Sequence, residues 1–159
     1  MSERAAESTF VMRGRTAREL MTPSPLMVFE TDPLETAAEL LARFSAVPVV
    51  DLERCVVGVV SRTDLARIYG LKRSVQSASL TLETRDGESS GLDWKPPAKR
   101  VGEVMTPAVV TLPADASAGE VVKVLAARRI GRVFVVDEGR HLIGVVSTTD
   151  IIMRLRAVD

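Results

Sequence analysis

Two stretches of the chain place a serine three residues ahead of an aspartate: Ser61-Arg62-Thr63-Asp64 and Ser147-Thr148-Thr149-Asp150. At a helix start this spacing makes a capping box, in which the two side chains satisfy each other's backbone N–H groups. A hydroxyl beside a carboxylate can also serve a ligand, so the surrounding frame decides the reading. Other reactive residues are scarce. His141 is the only histidine and Cys55 the only cysteine, too few for a zinc site of their own. His141 reads as a solvated residue at a strand entrance, and Cys55 as a small, half-buried apolar one. There is no Gly-x-x-x-x-Gly-Lys-Ser/Thr loop and no nucleophile elbow. Neither catalysis nor a metal is expected. A lone cysteine also forms no internal disulfide, which points to the cytoplasm.

Composition narrows the class further. Hydrophobic residues make up 46% of the 159 and aromatics 4%, so the core must come from Val, Leu, Ile and Ala. That mixture suits an α/β (α+β) fold with buried strands. Lys and Arg total 21, as do Asp and Glu. Without net positive charge, nucleic-acid binding is not expected. No apolar run approaches the roughly 20 residues that a bilayer requires, so no membrane span is expected. Residues 1–15 lack an apolar signal core and read as a flexible lead.

The elements that position both Ser-x-x-Asp stretches repeat. Met21-Thr22-Pro23 returns as Met105-Thr106-Pro107, 84 residues later. Val49-Val50-Asp51 returns as Val135-Val136-Asp137, now 86 residues later; Gly58-Val59-Val60-Ser61 and Gly144-Val145-Val146-Ser147 keep that offset. The chain is a duplication. Within each copy, a short helical lead ends at the Pro of Met-Thr-Pro. A β segment follows, over 26–29 or 108–112. Next comes an amphipathic helix, with Leu34, Ala37, Ala38, Leu41 and Ala118, Val121, Val122, Leu125 at i, i+3, i+4, i+7. Asp32 is expected to be the N-cap of the first, with Pro33 at its first position. Two β-branched runs then form a hairpin, 47–50 with 56–60 and 133–136 with 142–146. They lack alternation, so both faces should be covered. A final helix starts after each serine. The unit is β-α-β-β-α, twice, over 16–70 and 100–157. Residues 71–99 read as a partly disordered surface insertion whose Leu80, Leu82 and Trp94 could dock on the core or on a partner.

The Met-Thr-Pro lead, the Pro48-Val49-Val50-Asp51 strand and the Gly-x-x-Ser-x-x-Asp turn, in order and twice over, resemble the cystathionine-β-synthase (CBS) repeat. The resemblance spans about 16–69 and 100–156. It implies two CBS repeats packed as a pseudo-twofold pair, often dimerising again. In similar proteins the cleft holds AMP, ADP, ATP, S-adenosylmethionine, NAD or a related ligand. By position it implies ribose binding for Asp64 and Asp150, and phosphate binding for Ser61, Ser147 and Arg132. An ionised carboxylate can accept from both ribose hydroxyls, and a hydroxyl at a helix N-terminus lies where anions are favoured. Val28, Val60, Val110 and Val146 are expected to form an apolar slot for adenine.

The copies differ where this matters. Ala46 stands where the second copy has Arg132, and Met21 to Asp51 is 30 residues where Met105 to Asp137 is 32. The deletion falls near Ala42 to Phe44, so unequal sites are expected, with Asp150 and Arg132 marking the better phosphate site. The leading reading is a regulatory module that needs no cofactor, senses an adenosine-containing ligand and signals to an unknown target protein or through a homodimer. The alternative is a homodimerisation or protein-interaction module without a ligand.

Overall fold

Runs of β-branched residues favour extended backbone and pack well when both faces are covered. In the computed structural model, which describes residues 9–68, 99–107 and 109–158, these runs form the hairpins β4 (Ala46–Val50) with β5 (Val56–Ser61) and β7 (Arg132–Val136) with β8 (Leu142–Ser147). Both are antiparallel, and each carries a register irregularity at the equivalent place, Val49/Val50 and Val135/Val136. The turns pass through Arg54 and Arg140 with left-handed φ of 67° and 66°.

A parallel strand joins each hairpin: β3 (Val28–Phe29) on β4, and β6 (Thr111–Pro113) on β7. The crossovers run through α2 (Leu34–Leu41) and α5 (Ala118–Arg128). Helix α2 has eight residues and α5 eleven, which places the shortening of the first copy at the helix end. Arg62 closes that shortened end: its Nε donates to the Leu41 carbonyl at 2.7 Å and its Nη2 to that of Ala42 at 3.3 Å. Final helices α3 (Arg62–Ile68) and α6 (Thr148–Arg154) follow the serines.

Three features of the structure go beyond the sequence reading or correct it. The helical leads do not pack on their own copies. α1 (Ala17–Leu20) places Ala17 and Leu20 in a core with Val121, Leu125, Val133, Val135 and Val146, whereas Val101 of α4 (Val101–Val104) joins Val28, Leu34, Val47 and Val60. The following Met-Thr-Pro segments cross over as well. β2 (Thr22–Pro23) pairs antiparallel with β8, and Thr106 bridges Val59 of β5. Each structural half is thus built from both sequence copies, because one short sheet cannot cover its own apolar edge. Secondly, Asp32 is not the N-cap of α2. Pro33 holds that place, and the Asp32 carboxylate instead accepts from the Phe29 N–H at 2.8 Å, closing the preceding turn. Thirdly, residues 9–12 of the expected flexible lead form β1 (Thr9–Met12), antiparallel to a strand that no pattern announced, β9 (Leu155–Val158).

Pairings map the halves onto each other about a pseudo-twofold. Thr16–Ser117 and Pro33–Arg100 are equivalent bridges, and Cys55–His141 joins the same position of both copies on the axis itself. A third cluster, with Val50, Phe134 and Leu142 buried among Met27, Phe29, Val56, Val59, Val109 and Val145, seals the interface. Val49, Val50, Val133 and Val135 are fully buried, so the strands are covered on both faces as their lack of alternation predicts. Leu80, Leu82 and Trp94, with the rest of the insertion over 71–98, lie outside the described residues.

Candidate functional site

The two Ser-x-x-Asp stretches fold alike. Ser147 Oγ donates to Asp150 Oδ2 at 2.7 Å, the Ser147 N–H donates to the same oxygen at 2.7 Å, and the Asp150 N–H returns to Ser147 Oγ at 3.2 Å. Ser61 and Asp64 repeat the set at 2.7, 2.8 and 3.2 Å. Both stretches are therefore capping boxes, and both hydroxyl protons are engaged in them.

The carboxylates differ in what remains open. Asp64 is 7% exposed, and its second oxygen, Oδ1, lies 3.5 Å from Arg67 Nη1. Asp150 is half-buried, and its Oδ1 has no hydrogen-bond partner among the described residues. A carboxylate held rigid at one oxygen and open at the other is preorganised to accept from vicinal hydroxyls.

Arg132 is the direct cross-strand partner of Ser147, so the two residues sit about 5 Å apart along the ladder. Its side chain crosses the pseudo-axis: Nη1 donates to the carbonyl of Ala46, its own counterpart, at 3.1 Å, and Nη2 to Ser45 Oγ. Burial draws its guanidinium below the ordinary arginine value, yet arginine stays protonated throughout the physiological range. One cation thus ties the second hairpin to the first.

The crossed leads complete the surroundings. Thr22, exposed, lies opposite Val145, two residues before Ser147, and Thr106, exposed, lies opposite Val59, two before Ser61. Met21 packs over Gly144 and Met105 over Gly58, so closely that a Cβ on either glycine would meet the methionine sulfur. Neither threonine was marked from the sequence as a site residue, although both stand in the repeated Met-Thr-Pro. Thr63 and Thr149 stand next to the two carboxylates in the chain. Both are exposed on the first turn of their helices, and the repeated Thr-Asp pair was the available signal.

The valines expected to line an adenine slot are distributed otherwise. Val28, Val60 and Val146 are 1%, 0% and 0% exposed and belong to the two cores; only Val110 keeps exposed surface. Flanking strand residues, Val145 and Ile143 on β8 and Val57 and Val59 on β5, alternate with them and are half-exposed. Alternation along a strand sends neighbouring side chains to opposite faces: Val59 and Val145 turn to the cluster between the halves, and Val57 and Ile143 pack at the margins of the two cores.

At the axis, the His141 ring Nδ1 lies 3.0 Å from both Asp137 oxygens, and this hydrogen bond holds the Asp137 carboxyl below its ordinary range. Cys55 Sγ lies 3.4 Å from the Gly139 carbonyl. Its thiol is pushed up by burial, then by Asp51 and Glu53, which suits an unreactive cysteine. Among the described residues no group of three or more His, Cys, Asp and Glu is arranged to hold a metal, and no helix is long and apolar enough to cross a membrane.

Comparison with known proteins gives a consistent result. A protein-family model of the CBS domain matches residues 17–70 and 101–157. The human 5'-AMP-activated protein kinase subunit gamma-3 is 33% identical over 131 residues, 81% of this chain but 24% of that protein. Among solved structures, CBSX2 in complex with AMP is 25% identical with a TM-score of 0.66, covering 88% of this chain and 95% of that one. The cytosolic domain of the Mg2+ channel MgtE in complex with ATP is 26% identical with a TM-score of 0.65, covering 89% and 49%.

Proposed function

Because the chain belongs to the CBS-domain family, as a tandem pair of regulatory rather than catalytic repeats, we propose that it senses an adenosine-containing ligand at the Asp150 side of its cleft. The open Oδ1 of Asp150 carries this reading, since it is a fixed, half-exposed acceptor able to take ribose hydroxyls. Arg132, across the ladder from Ser147, meets the phosphate. The exposed hydroxyls of Thr149 and Thr22 lie on the same side, and Val110, Val145 and Ile143 offer apolar surface to the adenine.

Two charge-assisted hydrogen bonds contribute on the order of 3–6 kcal/mol, against about 8 kcal/mol needed for micromolar affinity. Adenine burial and the phosphate contact must therefore supply the rest. That requirement favours a nucleotide over free adenosine. AMP stands in the CBSX2 complex and ATP in that of MgtE, which supports the class while leaving AMP, ADP, ATP, S-adenosylmethionine and NAD as the ligands to compare. Ligand binding across crossed leads changes the angle between the halves, and that change passes to a target protein or to a homodimer partner. Such a shift requires different affinity for the two arrangements.

For the first copy a second reading holds. Asp64 is buried and engaged at both oxygens, so that side serves as a structural cap and a ligand-free interaction half. Thermal unfolding with each of the five ligands tests the proposal. A ligand at 100 times its dissociation constant stabilises by about 2.7 kcal/mol, a midpoint rise of roughly 5–10 °C. No rise with any of them rejects the sensor reading in favour of the ligand-free module.

A further inference from the structure

A cation that loses water on burial and meets only neutral acceptors stays poised for an anion, because no counter-charge replaces the lost hydration. Arg132 is such a cation. It is half-buried, and it forms no ion pair among the described residues. Its acceptors are the Ala46 carbonyl, at 3.1 Å, and the exposed Ser45 Oγ, both neutral and both in the other half. These acceptors are held in place. The Arg62 N–H donates to the Ser45 carbonyl at 3.1 Å while the Arg62 side chain ties down the end of α2 just before it.

The two ends of the hairpins are joined differently. At the turn end the Leu142 N–H donates to the Arg54 carbonyl at 3.1 Å, and Cys55 Sγ lies 3.4 Å from the Gly139 carbonyl. Val50, Phe134 and Leu142 pack between the halves as well. At the open end Ala46 faces Ser61 and Arg132 faces Ser147. There, among the described residues, the side-chain hydrogen bonds between the halves are those of Arg132 alone. Both Ser-x-x-Asp turns begin at this end. An ionised phosphate attracts a guanidinium more strongly than a carbonyl or a hydroxyl does, and it can take two N–H groups at once.

We propose that Arg132 is a latch between the halves, opened by the ligand that it helps to bind. The phosphate of a nucleotide draws the guanidinium from Ser45 and Ala46, and the open ends then part while the turn ends stay joined. The latch rests on nucleotide binding at the Asp150 side. Nucleotide affinity then depends on the two bonds that must be given up, whereas adenosine, without a phosphate, leaves the latch closed. The ligand thus has different affinity for the closed and the parted arrangement, which a shift between them requires.

Calorimetry with AMP, ADP, ATP and adenosine, on the native chain, Ser45→Ala, Arg132→Ala and the double variant, tests the latch. Ser45→Ala removes one acceptor and keeps the backbone carbonyl that Arg62 uses. It should tighten nucleotide binding by about threefold or more and leave adenosine unchanged. In the Arg132→Ala background the same change should do nothing. Spin labels in a Cys55→Ser chain read the movement, one pair at the exposed Ala42→Cys and Arg128→Cys, the other at the exposed Leu52→Cys and Glu138→Cys. Nucleotide should lengthen the first separation and leave the second unchanged. Adenosine should alter neither. If the native chain binds none of the three nucleotides, the nucleotide reading falls and the latch with it. If it binds one, the latch alone falls on any of three results: Ser45→Ala weakens binding or leaves it unchanged, the gain persists in the Arg132→Ala background, or nucleotide leaves the separation between positions 42 and 128 as it was.

Discussion

Replacing Gly144 by alanine tests whether the two copies are interlaced as described. Gly144 lies on β8 of the second copy, and its neighbour across the ladder is the Met-Thr-Pro lead of the first. An added Cβ would overlap Met21 Sδ, lie 2.8 Å from Met21 Cγ and 3.0 Å from Met21 Cβ. The sulfur can move, but Cβ is fixed by the backbone between α1 and β2. Gly144 does not adopt a left-handed φ, so alanine has no conformational penalty and would by itself stabilise slightly by restricting the unfolded chain. Any loss is therefore steric. Overpacking of this kind costs about 1–3 kcal/mol, and at roughly 2–4 °C per kcal/mol the melting midpoint should fall by about 2–12 °C. Circular dichroism melts and urea titrations measure it. Met21→Ala combined with Gly144→Ala should recover part of the loss, with a coupling of about 0.5–3 kcal/mol. An unchanged or raised midpoint for Gly144→Ala, or strict additivity in the double variant, would refute the crossed-lead packing.

Arg132→Ala removes the bonds to Ala46 and Ser45 and, on the proposed function, the cation facing the phosphate; by calorimetry, affinity for a nucleotide should then fall about tenfold or more while that for adenosine changes little. An equal loss for both would assign Arg132 a purely structural role. Asp64→Ala removes a cap and the Arg67 contact from a buried site, and unfolding should show a loss of about 1–2 kcal/mol. The same change at the half-exposed Asp150 should cost less, and the reverse order would contradict the reading of Asp64 as structural. The Asp137 carboxyl is depressed by its hydrogen bond with His141. A depressed folded value stabilises above the unfolded value and loses that stability as pH falls through the folded one. Acid unfolding followed below the ordinary 3.8 of an aspartate should therefore start at higher pH in His141→Ala, and an NMR titration should show Asp137 moving up; an unmoved Asp137 would dismiss the pair.

How much of this the sequence reveals depends on the range of the interaction. The hairpins and the final helices follow from local signals: β-branched runs, a polar turn, and a serine three before an aspartate. Val47 and Val133 are buried because such runs suit strands covered on both faces. Strand ends are less legible, since only two residues of the expected 26–29 segment pair in β3. The lead exchange is invisible locally. Nothing in Glu19-Leu20-Met21 distinguishes packing on its own copy from packing on the other, although a methionine and a bare glycine recurring together carry the trace of it. The β1–β9 ribbon joins the two ends of the chain, the longest-range contact of all, and neither strand alternates clearly enough to be foreseen. At the candidate site, the pairing of each serine with its aspartate follows from the three-residue spacing, and the place of Arg132 opposite Ser147 follows from the hairpin; a ligand role for them is implied by the family resemblance. The valines were not separated from their half-exposed neighbours, because a continuous valine run gives no period from which to read the face.

The measurement that tests the central claim most directly is calorimetric titration of AMP, ADP, ATP, S-adenosylmethionine and NAD into the native chain and into its Asp150→Asn and Asp64→Asn variants. The account predicts that at least one ligand binds, that Asp150→Asn weakens it about tenfold or more, and that Asp64→Asn, folded by circular dichroism, retains it. Heat of binding that is unchanged in Asp150→Asn, or abolished only in Asp64→Asn, would contradict the assignment of the ligand to the Asp150 side.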